Sequence, residues 1–255
     1  MIIEQPTAAQ QRQLRALWKE AFGDTEEYLD LFFGTAFSPS RCRCAVKDGT
    51  VMAALYWLDG TCRGKKLAYL YAVATAKAFR GRGIASDLLQ DTHRHLARLG
   101  YAGAVLVPGE EPLFRFYEKL GYRICSGITD FVCAGMAEEV QLRKIDAPDF
   151  ARQRRDILSL LEPGAVIQEG ENLALLAAQC SFYAGQNFLL AARREGDVLI
   201  GVELLGDPQN APGIVGTLGC REGRFRTRGN ARDFAMFRPL VEGTEPPSYF
   251  GLAFD

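Results

Sequence analysis

Residues 70–89 read LYAVATAKAFRGRGIASDLL, and this stretch decides the fold of the chain. Residues 67–75 are nearly all apolar and predict a strand buried at the centre of a sheet. Residues 83–99 repeat apolar side chains at helical spacing and predict a long helix that ends at Gly100. A strand that runs through a glycine-bearing turn into a helix N-terminus is the central unit of a mixed α/β sheet.

The turn between this strand and this helix has the composition of an anion site. Arg80, Gly83 and Ala85 fit the pattern Arg/Gln-x-x-Gly-x-Gly/Ala. Such a turn points successive backbone N–H groups inward, and the helix dipole adds positive potential. Two glycines let a diphosphate approach the backbone closely, and Lys77, Arg80 and Arg82 add positive charge. We therefore predict a site for a pyrophosphate.

The order of the remaining elements predicts the fold class. Two helices and three strands lead into the turn, and a strand, a short helix over residues 110–120 and a strand over residues 123–134 follow the long helix. After residue 136 the order helix, helix, strand, strand recurs. We predict an α/β fold: a mixed twisted sheet with flanking helices over residues 1–136, then a second, degenerate α/β domain over residues 137–255.

The second half carries more specific expectations. We expect a helix over residues 172–183 and strands over residues 139–145, 214–220 and 234–239, and we expect the apolar tail, residues 245–255, to dock. A basic run is interpreted as a solvated loop and not as a polyanion site. Its members are Arg221, Arg224, Arg226, Arg228 and Arg232, interrupted by Glu222.

Composition excludes several classes of protein. The chain has 255 residues, a formal net charge of -1, 48% hydrophobic and 24% charged residues, as in a globular protein with room for two domains. The charge predicts no nucleic-acid or membrane partner. Without a signal peptide or a long apolar run, a cytoplasmic location is expected. Seven cysteines without metal or redox spacing, and only two histidines, predict reduced thiols and no bound metal.

The turn resembles motif A of the GNAT (Gcn5-related N-acetyltransferase) superfamily, and residues 110–122, EEPLFRFYEKLGY, are similar to its closing segment. The spacing between the two segments suits a helix and a strand. The resemblance covers residues 1–135. Residues 17–24, LWKEAFGD, and the repeated order of elements resemble the branch with tandem GNAT-like halves. The aminoglycoside-acetylating Eis-type proteins belong to that branch, and their third, sterol-carrier-like domain has no room here.

The resemblance implies an enzyme that uses acetyl-CoA as acyl donor and transfers acetyl to a primary amine of a small molecule or peptide by direct attack. Val73, Ala74 and Thr75 would pair with the pantetheine arm. Tyr117 would protonate the departing thiolate, although a core tyrosine is the alternative interpretation. The residues implied in binding the pyrophosphate are Arg80, Gly81, Arg82, Gly83, Ile84, Ala85 and Ser86.

The sequence does not identify the residue that would act as general base. Many family members carry an acid on the strand before the turn, but residues 67–73 contain none. Either Glu110 or Glu111 could act through a water, and in Eis-type enzymes the C-terminal carboxylate can serve, here that of Asp255. Glu27 and Asp30 lie on the second helix, which in this fold helps to wall the acceptor groove.

Two alternatives to this activity remain. One is a non-catalytic acyl-CoA-binding or sensing protein, and the other is a different acyl donor. The second half lacks the Arg/Gln-x-x-Gly-x-Gly/Ala turn, so we expect one CoA per chain and a second half that covers one side of the acceptor groove.

His93 and His95 on the long helix are interpreted as structural or surface side chains. The acceptor and the oligomeric state are not specified by the sequence.

Overall fold

The computed structural model describes residues 1–137 and 140–254. Within these residues the chain forms seven α-helices and one sheet of thirteen strands. The helices are α1 (Gln11–Phe22), α2 (Glu26–Thr35), α3 (Ile84–Arg98), α4 (Glu111–Glu118), α5 (Ala147–Leu161), α6 (Glu171–Ala177) and α7 (Ala211–Thr217). The strands are β1 (Ile2–Glu4), β2 (Cys42–Lys47), β3 (Thr50–Cys62), β4 (Lys65–Thr75), β5 (Gly103–Leu106), β6 (Arg123–Ala134), β7 (Leu142–Ile145), β8 (Ile167–Gln168), β9 (Ser181–Gly185), β10 (Phe188–Glu195), β11 (Val198–Gly206), β12 (Glu222–Arg228) and β13 (Arg232–Pro239).

The sheet is mixed. Its strand order is β1-β2-β3-β4-β5-β13-β6-β12-β11-β10-β9-β7, and β8 pairs with β3 off this path. Strands β4 and β5 are parallel, as are β11 and β12, while the other pairs are antiparallel. The expected α/β class, a mixed sheet with flanking helices, is confirmed.

Helices cover both faces of the sheet near its centre. Leu88 of α3 packs in one apolar cluster with Leu55 of β3. Trp18 of α1 and Phe32 of α2, whose ring centroids lie 4.5 Å apart, pack in another cluster with Tyr56 of β3. Because Leu55 and Tyr56 are neighbours on a strand, they point to opposite faces. The central strands are therefore buried on both sides, which explains their almost continuous apolar sequence.

The sheet runs through both halves of the chain. β12 and β13 come from the second half, and they lie on either side of β6. β13 also pairs with β5, with Met236 opposite Leu106. The expected domain boundary at residue 136 falls just after β6, which ends at Ala134. The division into two domains stays a prediction.

The C-terminal segment is part of the core. Tyr249, Phe250 and Ala253 are each at most 3% exposed. The Tyr249 hydroxyl donates to Glu203 Oε1 at 3.0 Å. Glu203 in turn accepts from Arg154, whose Nε lies 2.6 Å from Glu203 Oε2 in a fully buried ion pair. The expectation that the tail docks is confirmed.

One expected strand, over residues 214–220, is wrong, because the segment begins inside helix α7, which ends at Thr217. Ile214 and Val215 are β-branched and suggested a strand. Both are fully buried, and α7 packs on β6 and β12. Pro212 lies in the first turn of α7, where its missing N–H costs no hydrogen bond.

Two further expectations are corrected. The helix expected over residues 172–183 ends at Ala177, and β9 follows as the antiparallel partner of β7 and β10. The basic run expected in a solvated loop instead contributes β12, which lies inside the sheet between β6 and β11. One pairing partner of each strand is distant in sequence, β7 for β9 and β6 for β12, and local composition does not indicate such a partner.

The strand expected over residues 139–145 corresponds to β7, which begins at Leu142. Glu139 lies outside the described residues. All seven cysteines are free thiols. Across residues 1–137 and 140–254, His, Cys, Asp and Glu side chains form no group of three that could hold a metal ion. None of the helices in these ranges combines the length and apolar character that crossing a membrane requires.

Candidate active site

The two parallel strands at the centre of the sheet separate and open a cleft. β4 and β5 pair only from Leu67 opposite Gly103 to Tyr69 opposite Val105, although β4 continues to Thr75. Beyond Tyr69, one edge of β4 therefore faces a cavity of about 1110 Å³ instead of a neighbouring strand. An unpaired strand edge can bind an extended ligand as an additional strand.

A bulge in β4 shapes this edge. Tyr71 lies opposite Tyr56 on β3 and Ala74 lies opposite Ala54, so β4 carries one residue more than β3 between these pairs. Within this stretch Ala72 has φ 48°. A left-handed backbone is uncommon for alanine, and bulges of this kind redirect backbone groups next to functional sites. The bulge turns the backbone around Val73 towards the cleft, which that residue lines.

The glycine-bearing turn follows β4 directly and leads into α3. Gly81 and Gly83 have φ 73° and 78°, and Gly83 caps the N-terminus of α3. A Cβ atom at either position would meet nothing within 4 Å, so backbone conformation and not space calls for glycine here. The first backbone N–H groups of α3 have no partner within the helix and are available to an anion.

Two arginines stabilise the turn and leave it positively charged. Arg80 Nε donates to the carbonyl of Thr75 at 3.0 Å, and Arg82 donates to the carbonyl of Ala78 at 3.0 Å. The Arg82 guanidinium also lies 5.6 Å from the centroid of the Phe79 ring. Both arginines are exposed, so their charge is available to a ligand at the start of α3.

The structure places the expected cofactor residues along one path, from the β4 edge to the N-terminus of α3. The residues that line the cleft itself are Val73, Ala74, Thr75, Arg80 and Ala85. The others form the turn and the helix start next to it: Gly81, Arg82, Gly83, Ile84 and Ser86. In this second group the Ile84 side chain is buried and packs in the apolar cluster that also contains Leu88.

Tyr117 lines the cleft from the end of α4. Its side chain is 7% exposed and contacts Phe116 and Tyr122, with ring centroids 5.1 and 5.6 Å away. Burial raises the pKa of Tyr117 to about 12. The hydroxyl has no hydrogen-bond partner among the described residues. It therefore stays protonated at neutral pH and is free to donate to a ligand.

The carboxylates considered as general base differ in whether they line the cleft. Glu110 lines the cleft, while the exposed Glu27 and Glu111 do not. Asp30 lies 2.8 Å from Arg15 in an ion pair. Asp255 lies outside the described residues.

A further carboxylate, Asp24, lines the cleft and was missed from the sequence. It accepts a hydrogen bond from Trp18 Nε1 at 2.7 Å. In the sequence Asp24 lies in the short segment that separates two predicted helices. Nothing in that segment indicates that its side chain faces a cavity.

Aromatic side chains form one wall of the cleft. The hydroxyls of Tyr28 and Tyr71 lie 2.6 Å apart, and the backbone N–H of Phe254 donates to the Tyr69 hydroxyl at 3.3 Å. The Phe254 ring centroid lies 6.2 Å from that of Tyr69 and 5.9 Å from that of Tyr71. Helix α2, strand β4 and the C-terminal segment therefore meet at this wall.

The second half of the chain also lines the cleft. Its cleft-lining residues are Leu176, Gln179, Cys180, Arg193, Val202, Arg232, Phe234, Ala253 and Phe254. His93 lies away from the cleft, buried and hydrogen-bonded through Nε2 to the Tyr122 hydroxyl at 2.7 Å. Burial lowers its pKa to about 3. His93 is thus a neutral, structural side chain.

Comparison with known proteins supports the resemblance drawn from the motifs. Residues 3–125 match the family described as Acetyltransferase (GNAT) domain. This range contains the splayed strands, the glycine-bearing turn, and Tyr117. A comparison with curated protein sequences gives no significant match.

Solved structures share the fold over most of the chain. A GCN5-related N-acetyltransferase from Anabaena variabilis is 16% identical, with a TM-score of 0.73, over 94% of this chain and 73% of that one. Eis1 from Mycobacterium abscessus is 14% identical, with a TM-score of 0.65, over 94% and 74%. A GCN5-related N-acetyltransferase from Sphaerobacter thermophilus is 12% identical, with a TM-score of 0.60, over 96% and 97%.

Because the sequence identities are this low, the solved structures show only the fold. The family match relates the N-terminal half to the GNAT domain. The resemblance of the N-terminal half to GNAT proteins is confirmed by the family match, and the likeness to Eis1 is a likeness of fold. Residues 3–125 of this chain are therefore similar to the acetyltransferase (GNAT) domain family, and the chain as a whole has a fold similar to that of Eis1.

Proposed function

We propose that this chain is an N-acetyltransferase that transfers the acetyl group of acetyl-CoA to a primary amine of a small molecule or peptide. The observation that carries the proposal is the splay of β4 from β5 directly before the turn at residues 80–86. An unpaired strand edge followed by a positively charged helix N-terminus suits a ligand with an amide-rich arm and a pyrophosphate.

The residues of this chain fit acetyl-CoA in order along the cleft. The backbone of Val73, Ala74 and Thr75 can pair with the amides of the pantetheine arm. The N–H groups at the start of α3 would bind the pyrophosphate, and Arg80 and Arg82 would add charge-assisted contacts. This arrangement would leave the thioester near Tyr117, which lines the same cleft.

In the proposed reaction the amine nitrogen attacks the thioester carbonyl, the C–N bond forms, the C–S bond breaks and CoA leaves as a thiolate. An ammonium must lose one proton before attack, and the nitrogen loses a second as the amide forms. Tyr117 supplies one proton to the thiolate, whose ordinary pKa is about 8.5. Because the tyrosine is buried and protonated, this transfer depends on a direct hydrogen bond.

Two carboxylates in the cleft are placed to accept the protons of the amine. They are Asp24, which Trp18 holds by a hydrogen bond, and Glu110, which precedes α4. Either can act directly or through a water molecule. We infer that one of them serves as general base, in place of the acid that β4 lacks.

Thermal unfolding with and without acetyl-CoA tests the cofactor site. Saturating acetyl-CoA should raise the melting temperature of the wild type by several degrees, because it binds only the native state. The double variant Arg82→Glu, Gly83→Glu should lose this shift. Gly49→Glu is the matched control, since Gly49 also has a positive φ (76°) and open space around it. No shift in the wild type would refute the proposal.

Turnover separates the enzyme from its alternative, a non-catalytic acyl-CoA-binding protein, which the absence of an acid on β4 favours. Release of the CoA thiol is followed with a panel of primary amines. Amine-dependent release that exceeds background hydrolysis supports the transferase. A clear thermal shift with no release across the panel would favour the binding protein.

A further inference from the structure

We propose that the acceptor is an amine with one positive charge and an apolar body, an aromatic or aliphatic ring, that binds against the aromatic side chains next to Asp24, and that Phe22 determines this specificity. The inference rests on the proposed transferase function and adds a substrate class to it. Amines that are hydrophilic throughout, or that carry a second ammonium, are expected to be poorer acceptors.

Asp24 lies beside three aromatic rings. Its carboxylate accepts a hydrogen bond from Trp18 Nε1 at 2.7 Å, and Phe22 and Tyr28 line the same cleft. The ring centroids of Phe22 and Tyr28 lie 5.8 and 6.3 Å from that of Trp18. Burial raises the pKa of Tyr28 to about 12, and the negative charge of Asp24 adds to this rise, so the carboxylate lies close to the Tyr28 hydroxyl. An ammonium on Asp24 would therefore have aromatic rings as neighbours, and such rings attract cations.

The charged side chains of the acceptor region differ in whether they have a partner. Within residues 1–137 and 140–254, Asp24 forms no ion pair, so its charge is available to a ligand. Arg193 and Arg232 also line the cleft, but each donates to a carboxylate that does not. Arg193 Nε lies 2.9 Å from Glu195, and Arg232 Nε lies 2.5 Å from Asp130. The charge that a substrate finds unpaired here is negative and suits one ammonium.

The polar groups of these aromatic side chains are largely engaged with other protein atoms. The Trp18 N–H is used by Asp24, and the hydroxyls of Tyr28 and Tyr71 bond to each other at 2.6 Å. A substrate with many hydroxyls would lose its hydrogen bonds to water here and find few replacements. An apolar group has no such bonds to lose, so the surface favours an apolar body.

Phe22 extends the aromatic surface to the rim of the cleft. It is the last residue of α1 and is 47% exposed, and Gly23 with φ 75° follows it. A ring attached to an amine at Asp24 would cover Phe22 and remove apolar surface from water, which favours binding in proportion to the area buried. Phe22 is therefore the side chain on which the preference for a ring depends most.

The second candidate for the general base has similar surroundings. Leu113 and Phe116 of α4 line the cleft together with Glu110. The second half of the chain adds apolar side chains to the same cleft, among them Leu176 and Val202. The expected substrate class therefore does not depend on which of the two carboxylates takes the proton.

The test compares four primary amines: phenethylamine, cyclohexylethylamine, aminoethoxyethanol and diaminohexane. CoA release gives kcat and KM for each, and the acetyl-CoA thermal shift is measured in parallel. We expect the wild type to prefer the two ring-bearing amines over the other two by roughly tenfold in kcat/KM, mainly through a lower KM. The better of the two ring-bearing amines identifies the ring as aromatic or aliphatic.

The variant Phe22→Ala should reduce this preference by roughly fivefold, through a higher KM for the ring-bearing amines, and leave aminoethoxyethanol unchanged within about twofold. Phe22→Tyr keeps the ring and should retain the preference. Leu99→Ala is the matched control, because Leu99 is 51% exposed, also precedes a glycine with positive φ at a helix end, and does not line the cleft. The acetyl-CoA thermal shift checks that each variant folds.

The outcomes separate this inference from the function on which it rests. Equal kcat/KM for phenethylamine and aminoethoxyethanol, or a preference for diaminohexane, would overturn the inference, while turnover and an intact thermal shift leave the transferase standing. An equal loss on all four amines in Phe22→Ala would overturn it too, because a role in structure alone has that effect, and an unchanged preference would refute the role of Phe22. Absence of the acetyl-CoA shift in the wild type would remove both proposals together.

Discussion

The hydroxyl oxygens of Tyr28 and Tyr71 lie 2.6 Å apart and join α2 to the splayed part of β4. Burial raises the pKa of Tyr28 to about 12, and burial also raises the pKa of Tyr71. Both hydroxyls are therefore protonated at neutral pH, and one donates to the other. This bond closes the aromatic wall of the cleft beside the strand edge proposed for the pantetheine arm.

Removing either hydroxyl should destabilise the chain. Tyr28→Phe and Tyr71→Phe are each expected to lower the free energy of unfolding by about 1 kcal/mol, because the remaining hydroxyl stays largely buried without this partner. The double variant should lose less than the sum of the two. Urea unfolding of the four proteins measures this, and strictly additive losses would show that the bond contributes no coupling energy.

Tyr117→Phe should affect turnover and not folding. The hydroxyl has no partner among the described residues, so its removal should change the free energy of unfolding by less than about 0.5 kcal/mol. We expect kcat to fall by roughly 100-fold, within the range for a lost general acid, with the acetyl-CoA thermal shift intact. Steady-state kinetics and thermal unfolding check both parts. Unchanged kcat would return Tyr117 to a core role.

Ala72→Gly should stabilise the protein. Ala72 has φ 48°, which is strained for alanine and relaxed for glycine. We expect a gain of up to about 1 kcal/mol in the free energy of unfolding. Ala74→Gly, two residues along the same strand, has no positive φ to relieve and should lose about 1 kcal/mol. Chemical unfolding of both variants tests the difference in sign.

The buried His93 should make stability depend on pH. Its folded pKa is about 3, against an ordinary value near 6.5, so the unfolded chain binds the proton more readily between these values. Stability is therefore lost as pH falls below about 6.5, by about 2 kcal/mol between pH 7 and pH 5 from this group. His93→Gln keeps a polar partner for Tyr122 and should show a shallower loss in urea unfolding. An unchanged slope would contradict this assignment.

Local patterns were sufficient to predict the centre of the fold. The apolar run of β4, the glycines of the turn and the stripe of α3 are short-range features, and each element lies close to where its pattern predicts. The closing segment with Tyr117 is equally local. Its placement on the cleft follows once β4, α3 and α4 pack together.

Features that depend on distant contacts were not predictable in this way. The sequence does not indicate the positive φ of Ala72, because alanine rarely adopts that conformation. Asp24 faces the cleft only because α1 and α2 fold over β4. Ile214 and Val215 suggest a strand by propensity, but packing against β12 makes them helical, as tertiary contacts can override propensity.

The position of β13 between β5 and β6 has a consequence for how the chain is made. During synthesis β5 and β6 leave the ribosome well before β13, because residues 135–231 must be translated in between. Until then the neighbouring edges of β5 and β6 stay open, and open edges invite pairing with other chains. The cleft beside β5 can therefore take its final form only after β13 has been translated and has paired with both strands.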